Sequence, residues 1–343
     1  MNPARLFPVL VGLTIVATPT SSPSQDDVPA PPRFDLVRSG PLLDGDEIPS
    51  ASRQAALPLD ITLTGDGRSV VLVRRNELEV SDVATGSTRR IPKPARDVLP
   101  VRGASWSGFT FVALDEGRPS LESWTVAEPD EPMRQRRIEL PPEFRRLGPS
   151  SPPPSMSSSS RFLATIDVVL DLSDRSLLRL DDPGTCRTIA SPDGTRIASV
   201  SRAPDDSGGG GIVRVFDATG AVRFEHRSEW FLSDLAFGED GRTLIVPTQR
   251  FARHFAVESG RMQSGPRARL EEIARLPDGS FVATERAAAD DPPTGLVWLD
   301  SDGETAIARA APVGLVGRLQ VAVSGTTILT VGQKHFHVWR LIR

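Results

Sequence analysis

Residues 191–200 read SPDGTRIASV. An acid, a serine and a threonine crowd one glycine, an arrangement open to two readings, a site or a turn. A short turn signal followed by an apolar run is the local signature of a hairpin entering a β-strand. The phrase returns as TGDGRSVVLV at 64–73, GEDGRTLIVP at 238–247 and LPDGSFVATE at 276–285. Two eroded copies fill the long gap between the first two, SWSGFTFVAL around Gly108 and SSSSRFLATI with Ser160 in the glycine slot. AVSGTTILTV, with Gly325, closes the series. The slots at 67, 108, 160, 194, 241, 279 and 325 are 41, 52, 34, 47, 38 and 46 residues apart, an average of 43. Seven units of that size are a repeat architecture.

A second turn follows each first one. It is carried by Thr85–Gly86, Thr219–Gly220, Ser259–Gly260 and Asp302–Gly303. Each unit therefore reads as four antiparallel strands, the content of one propeller blade. SPDGTRIAS followed by VRVFDATG, and the closing FHVWRL, resemble the WD-repeat propellers, over residues 58 to 343. The match departs from that family in two ways. No Gly-His pair opens a blade, and Phe216–Asp217 and Trp339–Arg340 are the nearest forms of the tryptophan–aspartate pair. TolB-like six-bladed propellers share a similar turn phrase, so the resemblance leaves six or seven blades open, whereas the spacing counts seven. The fold expected is all-β: a propeller of seven four-stranded blades.

The seventh unit ends three strands in, at HFHVWRLIR, and an open ring would leave unpaired backbone edges. RFDLVRSGPLL at 33–43 is a strand-like piece with no partner of its own. It is expected to supply the missing outer strand of the last blade.

The N-terminus shows Arg5, then an apolar stretch from Leu6 to Ala17, then small and polar residues. That is the layout of a secretory signal, too short for the roughly 20 apolar residues of a spanning helix. The expected organisation is a signal over 1–24 cut between Ala17 and Ser24, a flexible leader over 25–32, and one propeller over 33–343. The expected location is outside the cytoplasm: periplasmic, secreted or at the cell surface. Stable membrane insertion after cleavage is not expected. The single cysteine, Cys186, allows no internal disulfide and reads as a small buried strand residue. A net charge of −4 with no clustering of basic residues argues against a nucleic-acid partner.

Catalytic motifs do not emerge. SGGGGIV at 207–213 opens a strand instead of a helix, so it lacks the dipole of a phosphate loop. His335 and His337 share one strand face but have no local third ligand. DSDGE at 300–304 aligns with the other second turns and reads as turn geometry. The pairs Asp181–Asp182, Asp205–Asp206 and Asp290–Asp291 adjoin proline, as exposed loops do. No resident metal or cofactor is expected.

In an up-and-down blade the short first and third turns share one face of the disc. The second connections and the links between blades share the other, and the long insertions are expected there: 115–120, 202–211, 285–295 and 141–160. Binding is expected on that face, through Trp230, Phe231, Arg118, Asp205, Asp206, Asp290 and Asp291, with a protein or other macromolecule as partner. The alternative is a propeller enzyme of hydrolase or lyase type, with a metal or acidic site over the central channel.

Overall fold

The seven turn slots place seven four-stranded antiparallel sheets in the chain. The computed structural model describes residues 30–41, 60–74, 76–103, 108–115, 118–125, 133–147, 152–182, 184–203, 210–230, 232, 234–248, 252–264, 269–287, 293–310, 318–321, 325–331 and 335–343. The first blade comprises β2 (Asp60–Leu63), β3 (Ser69–Val73), β4 (Glu77–Asp82) and β5 (Thr88–Pro92). The second comprises β6 (Asp97–Pro100), β7 (Phe109–Asp115), β8 (Arg118–Thr125) and β9 (Met133–Glu139). The third is the smallest, with β10 (Ser155–Met156), β11 (Phe162–Ala164), β12 (Val168–Asp171) and β13 (Leu177–Arg179). The fourth holds β14 (Thr185–Ala190), β15 (Arg196–Arg202), β16 (Gly211–Asp217) and β17 (Val222–Ser228). The fifth holds β18 (Ala236–Phe237), β19 (Thr243–Val246), β20 (Arg253–Ala256) and β21 (Met262–Ser264). The sixth holds β22 (Leu270–Arg275), β23 (Phe281–Arg286), β24 (Pro293–Leu299) and β25 (Ala306–Ala310). The seventh joins β26 (Arg318–Val321), β27 (Thr327–Val331) and β28 (His335–Ile342) to β1 (Arg33–Pro41) from the other end of the chain.

That last pairing closes the ring as expected. Arg33 faces Ile342 and Pro41 faces His335 along an antiparallel register, with one bulge between Leu36 and Arg38. Phe34 stands edge-on to Trp298 of the sixth blade and Trp339 of the seventh, with ring centroids 6.5 and 6.4 Å away. The N-terminal strand thus seats an aromatic wedge between two blades as well as completing a sheet. The series of turns also accounts for blade number: seven sheets, one per slot.

The core is divided among the joints between blades. Alternate side chains of each middle strand point to opposite neighbours, as the period of two requires. On β3, Val70 and Leu72 pack with Leu329, Phe336 and Val338 of the seventh blade. Val71 and Val73, between them in sequence, pack with Phe109 and Phe111 of the second. On β15, Ile197 joins Ala164 and Val169 of the third blade, whereas Ala198 and Val200 join Leu244 and Phe255 of the fifth. Each such buried side chain contributes about 1.5–3 kcal/mol of transfer energy. Every joint therefore depends on both of its blades.

The turns are built by side-chain capping. Asp193 Oδ1 accepts from Ser191 Oγ at 2.6 Å and from the Thr195 amide at 3.0 Å. Asp66, Asp240 and Asp278 make the equivalent bond to the amide two residues on, at 3.0, 2.8 and 3.0 Å. Gly194 has φ +71°, and a Cβ there would collide with the ring of Phe162 in the neighbouring blade. Ser160 holds the glycine slot of the third blade at φ +56°, and Arg175 holds that blade's second-turn slot at +65°. SPDG is a turn, and its acid is occupied by its own backbone.

Three expectations need correction. Residues 115–120 form no long insertion: Asp115 pairs directly with Arg118, so β7 and β8 run to the tip of the hairpin. The stretch 141–160 is partly structural. A short 3₁₀ helix over Pro142–Arg146 buries Phe144, Leu140 and Leu147 pack beside it, and Ser155–Met156 is an inner strand. Cys186 lies on β14 but is half-buried instead of buried.

Candidate functional site

The first strand of each blade borders the central channel. Where six of these strands run into their first turns, they enclose a cavity of about 190 Å³. Thr62 and Leu63 of the first blade, Ser157 of the third and Phe237 of the fifth belong to its wall. Four charged residues line it: Arg102, Arg187, Arg275 and Asp234. The three arginines come from the second, fourth and sixth blades, spaced around the ring.

Asp234 is fully committed to the scaffold. It is 3% exposed. Its Oδ1 receives the Leu235 amide at 2.9 Å and lies 2.8 Å from Arg187 Nε, while Oδ2 accepts the Ile273 amide at 3.2 Å. One carboxylate thereby ties the fourth, fifth and sixth blades together.

Arg102 is fixed by its backbone. Its amide donates to the Pro154 carbonyl and its carbonyl accepts from the Met156 amide, both at 2.8 Å, which links the second and third blades. Its side chain has no ion pair among the described residues, and its buried Nε has no hydrogen-bond partner. Arg275 meets Glu239 at 3.6 Å, its one ion pair among the described residues and with a carboxylate that is 68% exposed, and its Nε is also buried without a hydrogen-bond partner. Burial lowers the Arg275 pKa, with Glu239 and Asp240 opposing the shift. Thr110, 4% exposed, adds a hydroxyl to the same wall that has no hydrogen-bond partner. The donors gathered here suit an anion.

The residues expected from sequence lie elsewhere. Arg118 is exposed at the start of β8. Trp230 is half-buried in the link between the fourth and fifth blades, its amide donating to Ser228 Oγ at 3.2 Å. Both belong to connections on the face opposite the first turns, in different sectors of the ring, and neither lines the cavity. Phe231, Asp205, Asp206, Asp290 and Asp291 lie outside the described residues.

Asp182 departs from its reading as an exposed loop acid. It is buried and accepts from the Ser199 hydroxyl and the Arg214 guanidinium, which also holds Glu225 at 2.9 Å. Asp300 behaves as a turn residue, receiving the Glu304 and Thr305 amides at 2.9 and 3.2 Å. The histidines are dispersed. His337 bonds Ser39 Oγ through Nδ1 at 2.7 Å, and burial, with His335 beside it, lowers its pKa. His254 is buried on β20 and its pKa is lowered by burial against the pull of three nearby acids. Among the described residues no three His, Cys, Asp or Glu side chains gather in one place.

Comparison with known proteins places the architecture. No family model matches the chain, and no curated protein matches it. A chain of the mitotic checkpoint complex superposes with a TM-score of 0.56 at 12% identity, over 97% of this chain and 100% of that one. The Cps50 (Swd1) β-propeller domain of Myceliophthora thermophila gives 0.52 at 12% identity, over 83% and 96%. Hydrazine synthase from Kuenenia stuttgartiensis gives 0.53 at 13% identity, over 83% and 95%. At these identities the likeness is one of fold. The chain is a seven-bladed propeller that resembles the WD-repeat class.

Proposed function

We propose that the protein is an exported, non-catalytic propeller that serves as a binding scaffold, presenting the face of its second connections and inter-blade links to a protein partner. The observation that carries this reading is the uneven distribution of chain between the two faces. Outside the second blade the first and third turns are short, four to six residues, and Asp193 and Asp300 show how they are capped by their own side chains. The second connections include 203–210 and 287–292, and the link between the second and third blades spans 140–154. Variable connections on a rigid closed ring are where recognition concentrates. A similar fold within a mitotic checkpoint complex is consistent with such a role. The alternative enzyme has no acidic or histidine cluster to support it among the described residues, and arginines dominate the channel wall.

Photo-crosslinkers placed at Arg118 and Trp230 on one face, and at Thr195 and Thr219 on the other, test the proposal. Crosslinks to one same partner from the first pair alone are expected; crosslinks from the second pair alone would overturn it. Export is tested separately by fusing residues 1–32 to a reporter. Retention of that reporter inside the cell removes the exported part of the reading and leaves the scaffold part standing.

A further inference from the structure

We propose that the central cavity at the first-turn end of the channel is a binding site for a small anion with a phosphate or carboxylate head, held between Arg102 and Arg275. This goes beyond the scaffold reading and concerns the opposite face of the disc.

Three observations converge. The cavity of about 190 Å³ is lined by three arginines against one aspartate, in a chain whose net charge is −4. That carboxylate, Asp234, is already engaged by Arg187 and two backbone amides. Arg102 and Arg275 each bury an Nε that bonds nothing, and the hydroxyl of Thr110, which lines the same cavity, is in the same condition. Arg102 has no counter-charge among the described residues and Arg275 has only the exposed Glu239 at 3.6 Å, and an oxyanion offsets the cost of their partial desolvation by accepting charge-assisted bonds. Arginine forks match the two oxygens of a carboxylate or a phosphate.

The geometry also provides for size. Leu63, Val101, Met156 and Phe237 supply apolar wall around the charged groups, so a compact organic body fits behind the anionic head. The backbone bonds on both sides of Arg102 fix the point from which its side chain departs, which lowers the ordering a ligand must cause.

Titration calorimetry of the full chain at low ionic strength, with inorganic phosphate in one arm and succinate in the other, tests this. Saturable one-to-one binding of at least one anion is expected, and the tighter arm identifies the head group. Arg102→Met and Arg275→Met should each weaken it about tenfold or more, the size of one charge-assisted bond. Arg223→Met, on the outer strand β17 and paired with Asp217, should leave it within about twofold. Binding of neither anion, or equal binding by wild type and both cavity variants, overturns the proposal. Melting of the ligand-free protein separates site from scaffold. Arg102→Met should melt at or up to about 2 °C above wild type and lose the anion-dependent rise. A clearly lower melting point would make Arg102 a structural residue and also overturn it.

Discussion

Replacing Phe34 by alanine tests ring closure at one side chain. Truncating a fully buried phenylalanine costs about 3–5 kcal/mol, and each edge-on aromatic contact accounts for about 0.5–1.5 kcal/mol. Phe34 is half-buried but touches both Trp298 and Trp339, so a loss of about 2–3 kcal/mol is expected. With a urea dependence near the upper end of the usual range, about 3 kcal/mol per molar, the unfolding midpoint should fall by about 0.7–1 M. Leu36 provides the internal control. It lies two residues along the same strand and is 50% exposed, so Leu36→Ala should cost about 0.5 kcal/mol or less. Tryptophan fluorescence follows the transition directly, because both partner rings are indoles. Equal small shifts for the two variants would falsify the seating of β1 between the sixth and seventh blades.

Ser160→Gly should raise the melting point by about 1–2 °C, measured by circular dichroism, because it removes a side chain held at φ +56° and a buried hydroxyl with no partner. Asp171 has its carboxyl lowered to about 2, chiefly by the Arg161 guanidinium, against burial and with help from Ser173. A depressed folded pKa gives stability that is present above about pH 4 and lost as pH falls toward 2, here about 2 kcal/mol. Asp171→Asn should therefore unfold at the same denaturant concentration at pH 2 and pH 4 more nearly than wild type does, in urea titrations at each pH. Asp234→Ala should cost about 3–5 kcal/mol by urea unfolding, since it strands Arg187 in a site where that side chain is 13% exposed.

The blades were legible because each depends on a local rule. A positive φ at the turn calls for glycine, and an aspartate or serine ahead of it caps the backbone, so the phrase survives in sequence wherever the turn survives in space. The rule extended even to Ser160, whose place in the series is matched by its backbone angle. The joining of β1 to β28 followed from counting strands and refusing an open edge. The cavity was not legible. Arg102, Arg187 and Arg275 stand six, seven and four residues before their turn glycines, so no shared register marks them. They reach one space because the inner strands differ in length, from two residues in β10 and β18 to six in β14 and β22, which alignment on the glycine does not encode. The hairpin at Asp115–Arg118 misled for a similar reason: its charged and glycine residues suit a loop, yet its ladder continues to the tip. Asp182 looked exposed beside Pro183, but its acceptors are filled by Ser199 and Arg214 from strands distant in sequence.

The pairing of Arg33 with Ile342 also sets an order of events during folding. Bringing residues 309 apart together costs about 3 kcal/mol more chain entropy than closing a ten-residue hairpin, at about 0.6 kcal/mol per doubling of the loop. Six blades consist of chain-local strands and have no such penalty. The seventh waits for the C-terminal strands to be synthesised and then for the N-terminal segment to find them. During that interval β28 offers an unpaired edge to any extended chain, its own N-terminus or a neighbour's. Closure is thus a race between an intramolecular strand at high effective concentration and intermolecular pairing that grows with protein concentration.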